Sequence, residues 1–391
     1  MRASRVENQA HGSPSDYLSP LTFLIMNRRD WIRLSVAGSA LPLLPSFSLA
    51  SSGLERIPIR LHSNENPYAP GDAARTAILD AIQETNLYPA SNYRSLQAMI
   101  AAREGLEPEH VVLGAGSTEI LRMAAMAYGL SGGEIVTAYP TYEGLENFAK
   151  SIEARVHRVP LNADKSIDLG RMESRTTENV KLVFVCNPNN PTGTICDKDD
   201  LQRFCIRVSQ QSVVLVDEAY YELVTHPRYN TIVPLVKAGA NVIVSRTFSK
   251  VYGLAGLRIG YALARPDIAE KLRNYWTSMG INILAIRAAI ASLNDDRFLN
   301  YSRTQIEHTR TETTNRLRNL GYEVIESNTN FLLFHLDQPV ERFQQSMASH
   351  GILVGRPFPP YLDWCRLSIG TDNEMSRFFD AFTKVMKIPN R

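Results

Sequence analysis

The sequence predicts an α/β protein in which a mostly parallel sheet is covered by helices and is followed by a smaller α+β lobe. Short β-branched runs alternate with helical patterns from about residue 111 to residue 262. The runs are apolar throughout, as expected for strands that are buried on both faces. Most of the runs lead directly into polar or glycine-rich segments, where such sheets bind their ligands. The runs with this pattern lie at 111–113, 135–138, 182–186, 213–216 and 242–244.

The chain has 391 residues, enough for one large two-lobed enzyme or two domains. Its formal net charge is +2, and the five arginines and three acidic residues of positions 1–50 account for that excess. The rest of the chain is close to neutral, so we expect no nucleic-acid partner. The four cysteines have no C-x-x-C spacing, which favours buried free thiols over a metal or redox site.

The N-terminal region carries an export pattern. Residues 27–33, Asn-Arg-Arg-Asp-Trp-Ile-Arg, precede the uncharged stretch 34–50, which ends in Ser-Leu-Ala. Paired arginines before a modest apolar segment are typical of a twin-arginine signal. The apolar segment is too short for stable membrane insertion. We therefore predict a periplasmic or exported protein, the alternative being an amphipathic arm on a cytoplasmic one. Translation from Met26 and cleavage of the signal both stay open.

A reactive lysine is predicted where the run at 242–244 ends. The following loop contains Thr247, Ser249, Lys250 and, eight residues after the lysine, Arg258. A lysine desolvated among small and apolar residues loses charge and becomes a nucleophilic amine. Hydroxyls and a guanidinium suit a phosphate. A lysine beside a phosphate site can hold pyridoxal phosphate as a Schiff base, although a surface lysine in a glycine-rich loop fits this segment too.

A second candidate phosphate site follows the run at 111–113. Residues 114–116, Gly-Ala-Gly, lead into Ser117 and Thr118 at the start of a predicted helix. The first turn of a helix offers free backbone N–H groups to an anion. The alternative is an ordinary helix behind a glycine turn, with Ser117 or Thr118 as its cap.

Six short motifs occur in order along the chain: Ser-Asn-Glu-Asn-Pro at 63–67, Tyr-Pro at 88–89, Asn-Pro-Asn-Asn-Pro-Thr-Gly at 187–193, Asp-Glu-Ala-Tyr at 217–220, the lysine loop at 247–258, and Arg-Leu-Ser-Ile-Gly-Thr at 366–371. Together they resemble the fold-type I, class I/II pyridoxal phosphate aminotransferases, and most closely the histidinol-phosphate aminotransferase branch. The resemblance covers roughly residues 60–387. It implies the pyridoxal phosphate-dependent transferase fold of type I.

The resemblance also implies roles for the cofactor-binding residues. Lys250 would form the Schiff base and afterwards move the substrate proton, while Asp217 would bind the pyridine nitrogen. Asn190 and Tyr220 would hydrogen-bond the phenolic oxygen, and Tyr142 would stack on the ring. The phosphate would be held by Ser117, Thr118, Thr247, Ser249 and Arg258.

Substrate and partner roles are implied in the same way. Arg366 would grip the substrate's carboxylate or phosphate, with Arg356 as a second anion contact and Asn64 lining the pocket. Tyr88 would reach the cofactor phosphate of a partner subunit, which implies a homodimer with shared sites.

The resemblance predicts transfer of an amino group between an amino acid, or a histidinol phosphate-like amine, and a 2-oxo acid. Histidinol-phosphate enzymes usually carry an N-terminal tyrosine that contacts the substrate, and residues 54–59 contain none. The donor therefore stays open. An oxidase, cyclase, decarboxylase or racemase reaction also stays open, because the pose of the substrate decides which bond breaks. A non-catalytic cofactor-binding role stays open as well.

The predicted organisation has four parts: an N-terminal extension with the export signal at 1–50, a segment belonging with the small lobe at 51–85, a large cofactor-binding domain at 86–280 and a small C-terminal domain at 281–391. Within it, a loop is predicted around 86–93 and a helix at 95–104.

Overall fold

The computed structural model describes residues 58–68, 70–278 and 280–387, so the predicted export signal lies outside the described residues. The strands are β1 (Ile59–Leu61), β2 (Val111–Gly114), β3 (Glu134–Tyr139), β4 (Val156–Pro160), β5 (Val180–Cys186), β6 (Val213–Asp217), β7 (Val242–Thr247), β8 (Gly260–Ala264), β9 (Phe331–His335), β10 (Ile352–Val354) and β11 (Trp364–Ser368). A seven-stranded sheet has the order β2-β8-β7-β6-β5-β3-β4. β8 runs opposite to the other six strands, which are parallel to one another, and this confirms the predicted mostly parallel sheet.

Helices separate most of these strands along the chain. The α-helices span Asp72–Ala81, Ala90–Glu104, Ser117–Gly129, Gly144–Ser151, Leu169–Ser174, Lys198–Val208, Val233–Lys237, Pro266–Arg273, Ile283–Leu293, Asp296–Asn319, Val340–Ala348 and Asp372–Val385. Short 3-10 helices lie at Ile82–Glu84, Pro108–His110, Leu130–Gly132, Tyr221–Leu223 and Ala255–Leu257. Among the described residues, no helix is long and apolar enough to cross a bilayer.

The large sheet separates two hydrophobic cores. Along β7, Val242 and Val244 pack into one core and Ile243 packs into the other. The strand is apolar without a break because successive side chains point to opposite faces and both faces are covered. Each such valine or isoleucine stabilises the fold by about 1.5–3 kcal/mol when fully buried. This double coverage leaves the carboxyl ends of the strands as the place where polar side chains collect.

Two small sheets accompany a third core. β1 pairs in parallel with β10, and β9 pairs antiparallel with β11. Ile59, Phe334 and Leu367 belong to this third core. Ala74, on the helix Asp72–Ala81, and Ala289, on the helix Ile283–Leu293, pack into the first core of the large sheet instead. The division into domains at 85/86 and 280/281 stays a prediction.

Local expectations were met in part. The four cysteines are buried and unpaired, as predicted. The helix predicted at 95–104 begins earlier, at Ala90. The amide of Tyr93 donates to the carbonyl of Pro89 at 2.9 Å, and the Tyr93 ring packs 5.1 Å from that of Trp276. Packing against a residue far along the chain therefore extends the helix through a segment whose composition favours a loop.

Candidate active site

A cavity of about 330 Å³ opens at the carboxyl ends of β2, β5, β6 and β7. Every predicted site residue except Tyr88 and Arg356 lines it. The lining residues that follow β2 and β7, together with the adjacent Gly116, are called the cofactor cradle; the lining residues are Ser117, Thr118, Thr247, Ser249 and Arg258. A second group of lining residues is called the substrate wall and consists of His62, Asn64 and Arg366.

Lys250 lines the same cavity. Its Nζ donates to the backbone oxygen of Asn64 at 3.0 Å and lies 5.4 Å from the centroid of the Tyr220 ring. Burial, reinforced by the charge of Arg366, lowers the pKa of Lys250 to about 8, against the opposing effect of Asp217. An amine with this pKa has a substantial neutral fraction near neutral pH, so it can act as a nucleophile and as a base.

Asp217, at the end of β6, is 2% exposed. Its Oδ1 is buried and has no hydrogen-bond partner among the described residues. Burial raises the pKa of this carboxyl group to about 7. Buried polar atoms in native proteins are nearly always paired. A cofactor with a protonated ring nitrogen would supply the missing partner, so the carboxylate fits pyridoxal phosphate.

The side chains of Asn190 and Tyr220 are hydrogen-bonded to residues of the substrate wall. The Tyr220 hydroxyl accepts hydrogen bonds from the side-chain amides of Asn64 at 3.1 Å and Asn190 at 3.4 Å. The Asn190 Oδ1 accepts from Nη1 of Arg366 at 2.7 Å. Burial raises the pKa of Tyr220, so its hydroxyl keeps a proton that it can donate to an oxygen of a bound molecule.

The cofactor cradle is arranged as an anion site. Gly116, at φ 79°, precedes the helix Ser117–Gly129 and has no Cβ to block its neighbours. A Cβ there would lie 2.5 Å from Nη2 of Arg258. The two Nη atoms of Arg258 lie 3.5 Å from the hydroxyls of Ser249 and Thr118. A helix N-terminus, hydroxyls and a guanidinium that converge on one space bind phosphate well.

Thr247 organises the turn that carries the lysine. Its hydroxyl donates to the Ser249 hydroxyl at 2.8 Å and accepts from the Ser249 amide at 3.1 Å. The loop is therefore fixed by side chains two residues apart, in agreement with the predicted grouping of hydroxyls before Lys250.

Arg366, on β11, is buried and held by oxygen atoms other than carboxylates. Its Nη1 and Nη2 donate to Oδ1 of Asn190 and to the backbone oxygen of His62, the latter at 2.6 Å. Its Nε is buried without a partner, and no acidic side chain pairs with it in the described part of the chain. Burial lowers its pKa to about 10, so the guanidinium stays charged at neutral pH. A substrate anion would complete its hydrogen bonds.

Tyr142 lines the cavity beside the helix Gly144–Ser151. A Cβ at Gly144 would lie 2.6 Å from its ring, so this glycine allows the ring to lie against the backbone. Its predicted stacking on the cofactor stays a prediction.

Two predicted residues lie elsewhere. Tyr88 is 86% exposed. Arg356 donates from Nη2 to Oε2 of Glu143 at 2.5 Å, and its guanidinium lies over the Phe358 ring. The cavity lining does not include either side chain, and their roles toward a partner subunit and a second anion stay predictions.

The sequence did not point to His62, Asn330 or Ser368. The Ser368 hydroxyl donates to the side-chain Oδ1 of Asn64 at 2.8 Å and accepts from the backbone N–H of Asn64 at 2.8 Å. Asn330 donates to the backbone oxygen of Asn64 at 2.9 Å. These bonds hold Asn64 at φ 53°, a left-handed conformation that asparagine tolerates better than most residues. Only the place of Ser368 within the 366–371 motif could have indicated its role.

A lysine of lowered pKa, a buried carboxylate and an anion cradle at the carboxyl edge of a mostly parallel sheet define a pyridoxal phosphate-dependent enzyme of fold type I. The family model for aminotransferase class I and II matches residues 56–382. The chain belongs to this family and is a pyridoxal phosphate-dependent aminotransferase.

Known relatives agree with this assignment. The chain is 36% identical to the histidinol-phosphate aminotransferase of Moorella thermoacetica over 331 residues, 84% of this chain and 85% of that protein. It is 34% identical to the aromatic amino acid aminotransferase of Cutibacterium acnes over 344 residues, 88% of this chain and 97% of that protein. The crystal structure of histidinol-phosphate aminotransferase from Sinorhizobium meliloti in complex with pyridoxal-5'-phosphate matches with a TM-score of 0.78 and 26% identity, and the match covers 85% of this chain and 91% of that one.

Proposed function

We propose that the amino donor carries one anionic group that Arg366 binds, and that it is either an aromatic amino acid or histidinol phosphate, with a 2-oxo acid as acceptor. The observation that carries this proposal is the buried guanidinium of Arg366, which has an unpartnered Nε and no acidic partner among the described residues. One anion completes it. The relatives in Cutibacterium acnes and Moorella thermoacetica are named for these two kinds of donor.

The residues of the cavity divide the chemistry between them. Bound pyridoxal phosphate supplies an electron sink for the bond broken at the donor's Cα. Asp217 would bind the proton on the ring nitrogen, and Asn190 and Tyr220 would hydrogen-bond the phenolic oxygen. The cofactor cradle would bind the phosphate. Lys250, as a neutral amine, would hold the cofactor and would accept the proton of the donor's Cα.

A single-turnover experiment tests the donor. Protein loaded with pyridoxal phosphate is mixed separately with tyrosine, phenylalanine, histidinol phosphate and aspartate, and the absorbance change from the pyridoxal to the pyridoxamine form is followed. We expect rapid conversion with an aromatic amino acid or with histidinol phosphate. Fast conversion by aspartate alone would contradict the proposal. Loss of the donor without the pyridoxamine form would point to a different reaction at Cα.

We also propose a homodimer in which Tyr88 reaches the partner's cofactor. The support is a stretch of exposed large apolar side chains around Tyr88, namely Leu79 at 66%, Ile82 at 51%, Leu87 at 63% and Tyr88 at 86% exposure. Exposed apolar side chains close together are typical of an interface.

Mixed dimers test this arrangement. A Lys250→Ala chain and a Tyr88→Ala chain are refolded together. If Tyr88 acts across the interface, each mixed dimer has one complete site, and activity rises above that of either variant alone. If Tyr88 acts within its own chain or has no role, mixing restores nothing.

We propose export by the twin-arginine route on the pattern at 27–33. Cell fractionation of the intact chain and of an Arg28→Lys/Arg29→Lys variant tests it. The intact chain should be exported and the variant retained. Retention of both would contradict the proposal.

A further inference from the structure

Three buried polar atoms of residues that line the cavity have no hydrogen-bond partner among the described residues. They are Oδ1 of Asp217, Nε of Arg366 and Nδ1 of His62. Such atoms are rare in folded proteins and each requires an explanation. If the proposed function holds, the cofactor's ring nitrogen accounts for the first and the donor's anion accounts for the second. Neither group accounts for the third atom, Nδ1 of His62.

His62 is held close to where the donor must lie. It follows β1, and its backbone oxygen accepts Nη2 of Arg366 at 2.6 Å. Two residues later, the backbone oxygen of Asn64 accepts Nζ of Lys250 at 3.0 Å. The segment therefore runs from the group that binds the anion to the group that reacts at Cα. His62 also lines the cavity, so we expect its side chain to face the remaining part of the donor, which is the donor's own side chain.

The ring of His62 is neutral at physiological pH. Burial and, after it, the guanidinium of Arg60 lower its pKa, and Arg366 adds to the effect, while Glu65 opposes it. A neutral imidazole presents one donor and one acceptor, so it can bind a hydroxyl or a ring N–H without attracting a second anion.

The charged groups nearby are already engaged. Arg60 pairs with Glu65 at 2.5 Å, and Arg356 pairs with Glu143. Exposed pairs of this kind add little stability, but neither Arg60 nor Arg356 is left as an unpaired charge that could select the donor's side chain. We propose that His62 is a specificity-determining residue whose imidazole hydrogen-bonds a polar group on the donor's side chain.

The test compares donors that differ in one polar group. The ratio of kcat/KM for tyrosine to that for phenylalanine, and the ratio for histidine to that for phenylalanine, are measured in wild type, His62→Phe and His62→Asn. One neutral hydrogen bond in a buried site is worth about a tenfold preference. We expect at least one ratio to fall about tenfold in His62→Phe and to recover in part in His62→Asn.

Binding provides a second readout that does not depend on turnover. In a Lys250→Ala background with cofactor added, calorimetry gives the dissociation constants of tyrosine, histidine and phenylalanine with His62 or with Phe at this position. The preference for the polar donor that falls in kcat/KM should also fall here. His350→Phe is the matched control, because His350 is exposed after the helix Val340–Ala348 and should leave the ratios unchanged.

Each outcome is decisive. Ratios within about twofold of wild type in both His62 variants, with the cofactor bound, would overturn the assignment of His62 and leave the proposed function standing. If His62→Phe does not fold, His62→Asn decides alone: kcat/KM ratios and binding preferences that both stay within about twofold of wild type in that variant would likewise overturn the assignment. Wild type that converts neither these donors nor histidinol phosphate would overturn the proposed function, and this inference with it.

Discussion

The cofactor cradle and the substrate wall belong to one cavity, but they are built differently. Thr247 bonds Ser249 two positions away, and Ser249 lies nine positions from Arg258. In the substrate wall, Asn64 is held by residues 266 and 304 positions away. The cradle combines two turns at strand ends, which Arg258 joins by its contact with Thr118, 140 positions away. The wall has no such local part, because its residues come together only when the segments of β1, β9 and β11 have docked. We therefore expect changes in the cradle to affect the cofactor and changes in the wall to affect the donor.

Lys250→Ala should have the largest effect, because this residue serves both walls. Loss of the amine that holds the cofactor and moves the proton should lower kcat by at least about 10³-fold. Single-turnover absorbance measures the loss. Lys237→Ala, at the exposed end of the helix Val233–Lys237, is the control and should behave as wild type. Turnover by Lys250→Ala within tenfold of the control would remove Lys250 from the mechanism.

Asp217→Asn should change how stability depends on pH. Burial raises the pKa of Asp217 from its ordinary value to about 7 in the folded protein. The contribution of Asp217 to the free energy of unfolding is therefore complete below the pKa of the unfolded state and is lost as the pH rises through the folded-state pKa of about 7. Relative to Asp217→Asn, which cannot ionise, the cofactor-free wild type should lose up to about 4 kcal/mol between about pH 4 and pH 8.

Urea unfolding of both proteins across this range measures the difference. Asp200→Asn, an exposed carboxyl on the helix Lys198–Val208, is the control and should follow wild type. A wild-type minus Asp217→Asn difference that does not vary with pH would contradict the assigned environment.

Arg366→Met tests the substrate wall alone. Removal of a buried charged donor from the binding of an anion should lower kcat/KM by about 10²-fold, because charge-assisted hydrogen bonds are the strong ones. Cofactor affinity, measured by fluorescence titration, should change little. Arg356→Met is the matched control, and its smaller effect follows from the pairing of Arg356 with Glu143. A larger loss in Arg356→Met than in Arg366→Met would reverse the assignment of the anion site.

Arg258→Met tests the cofactor cradle alone and should have the smallest effect of the four. Cofactor affinity should fall about tenfold, because the helix N-terminus and the hydroxyls of Ser249 and Thr118 remain. At saturating cofactor, the KM for the donor should stay near its wild-type value. A change confined to the donor's KM would show that the two walls are not separable in this way.

The difference between the walls also explains what the sequence could predict. The apolar runs, Gly116 and the loop before Lys250 are local patterns, so both the strands and the cradle residues were predicted. His62 was not predicted, because its position beside Arg366 depends on a contact across 304 residues. Arg356 was predicted as a second anion contact; its guanidinium pairs with Glu143, and its role toward an anion stays a prediction. Contacts between distant segments produce no periodic pattern in the sequence from which they could be predicted.

The covalent attachment of the cofactor to Lys250 tests the central claim most directly. Protein loaded with pyridoxal phosphate is reduced with borohydride, digested and mapped by mass spectrometry. We expect the mass of the reduced cofactor on the peptide that contains Lys250, and no label in Lys250→Ala. A label on a different lysine, or stoichiometric cofactor with no label on any peptide, would contradict this account of the site.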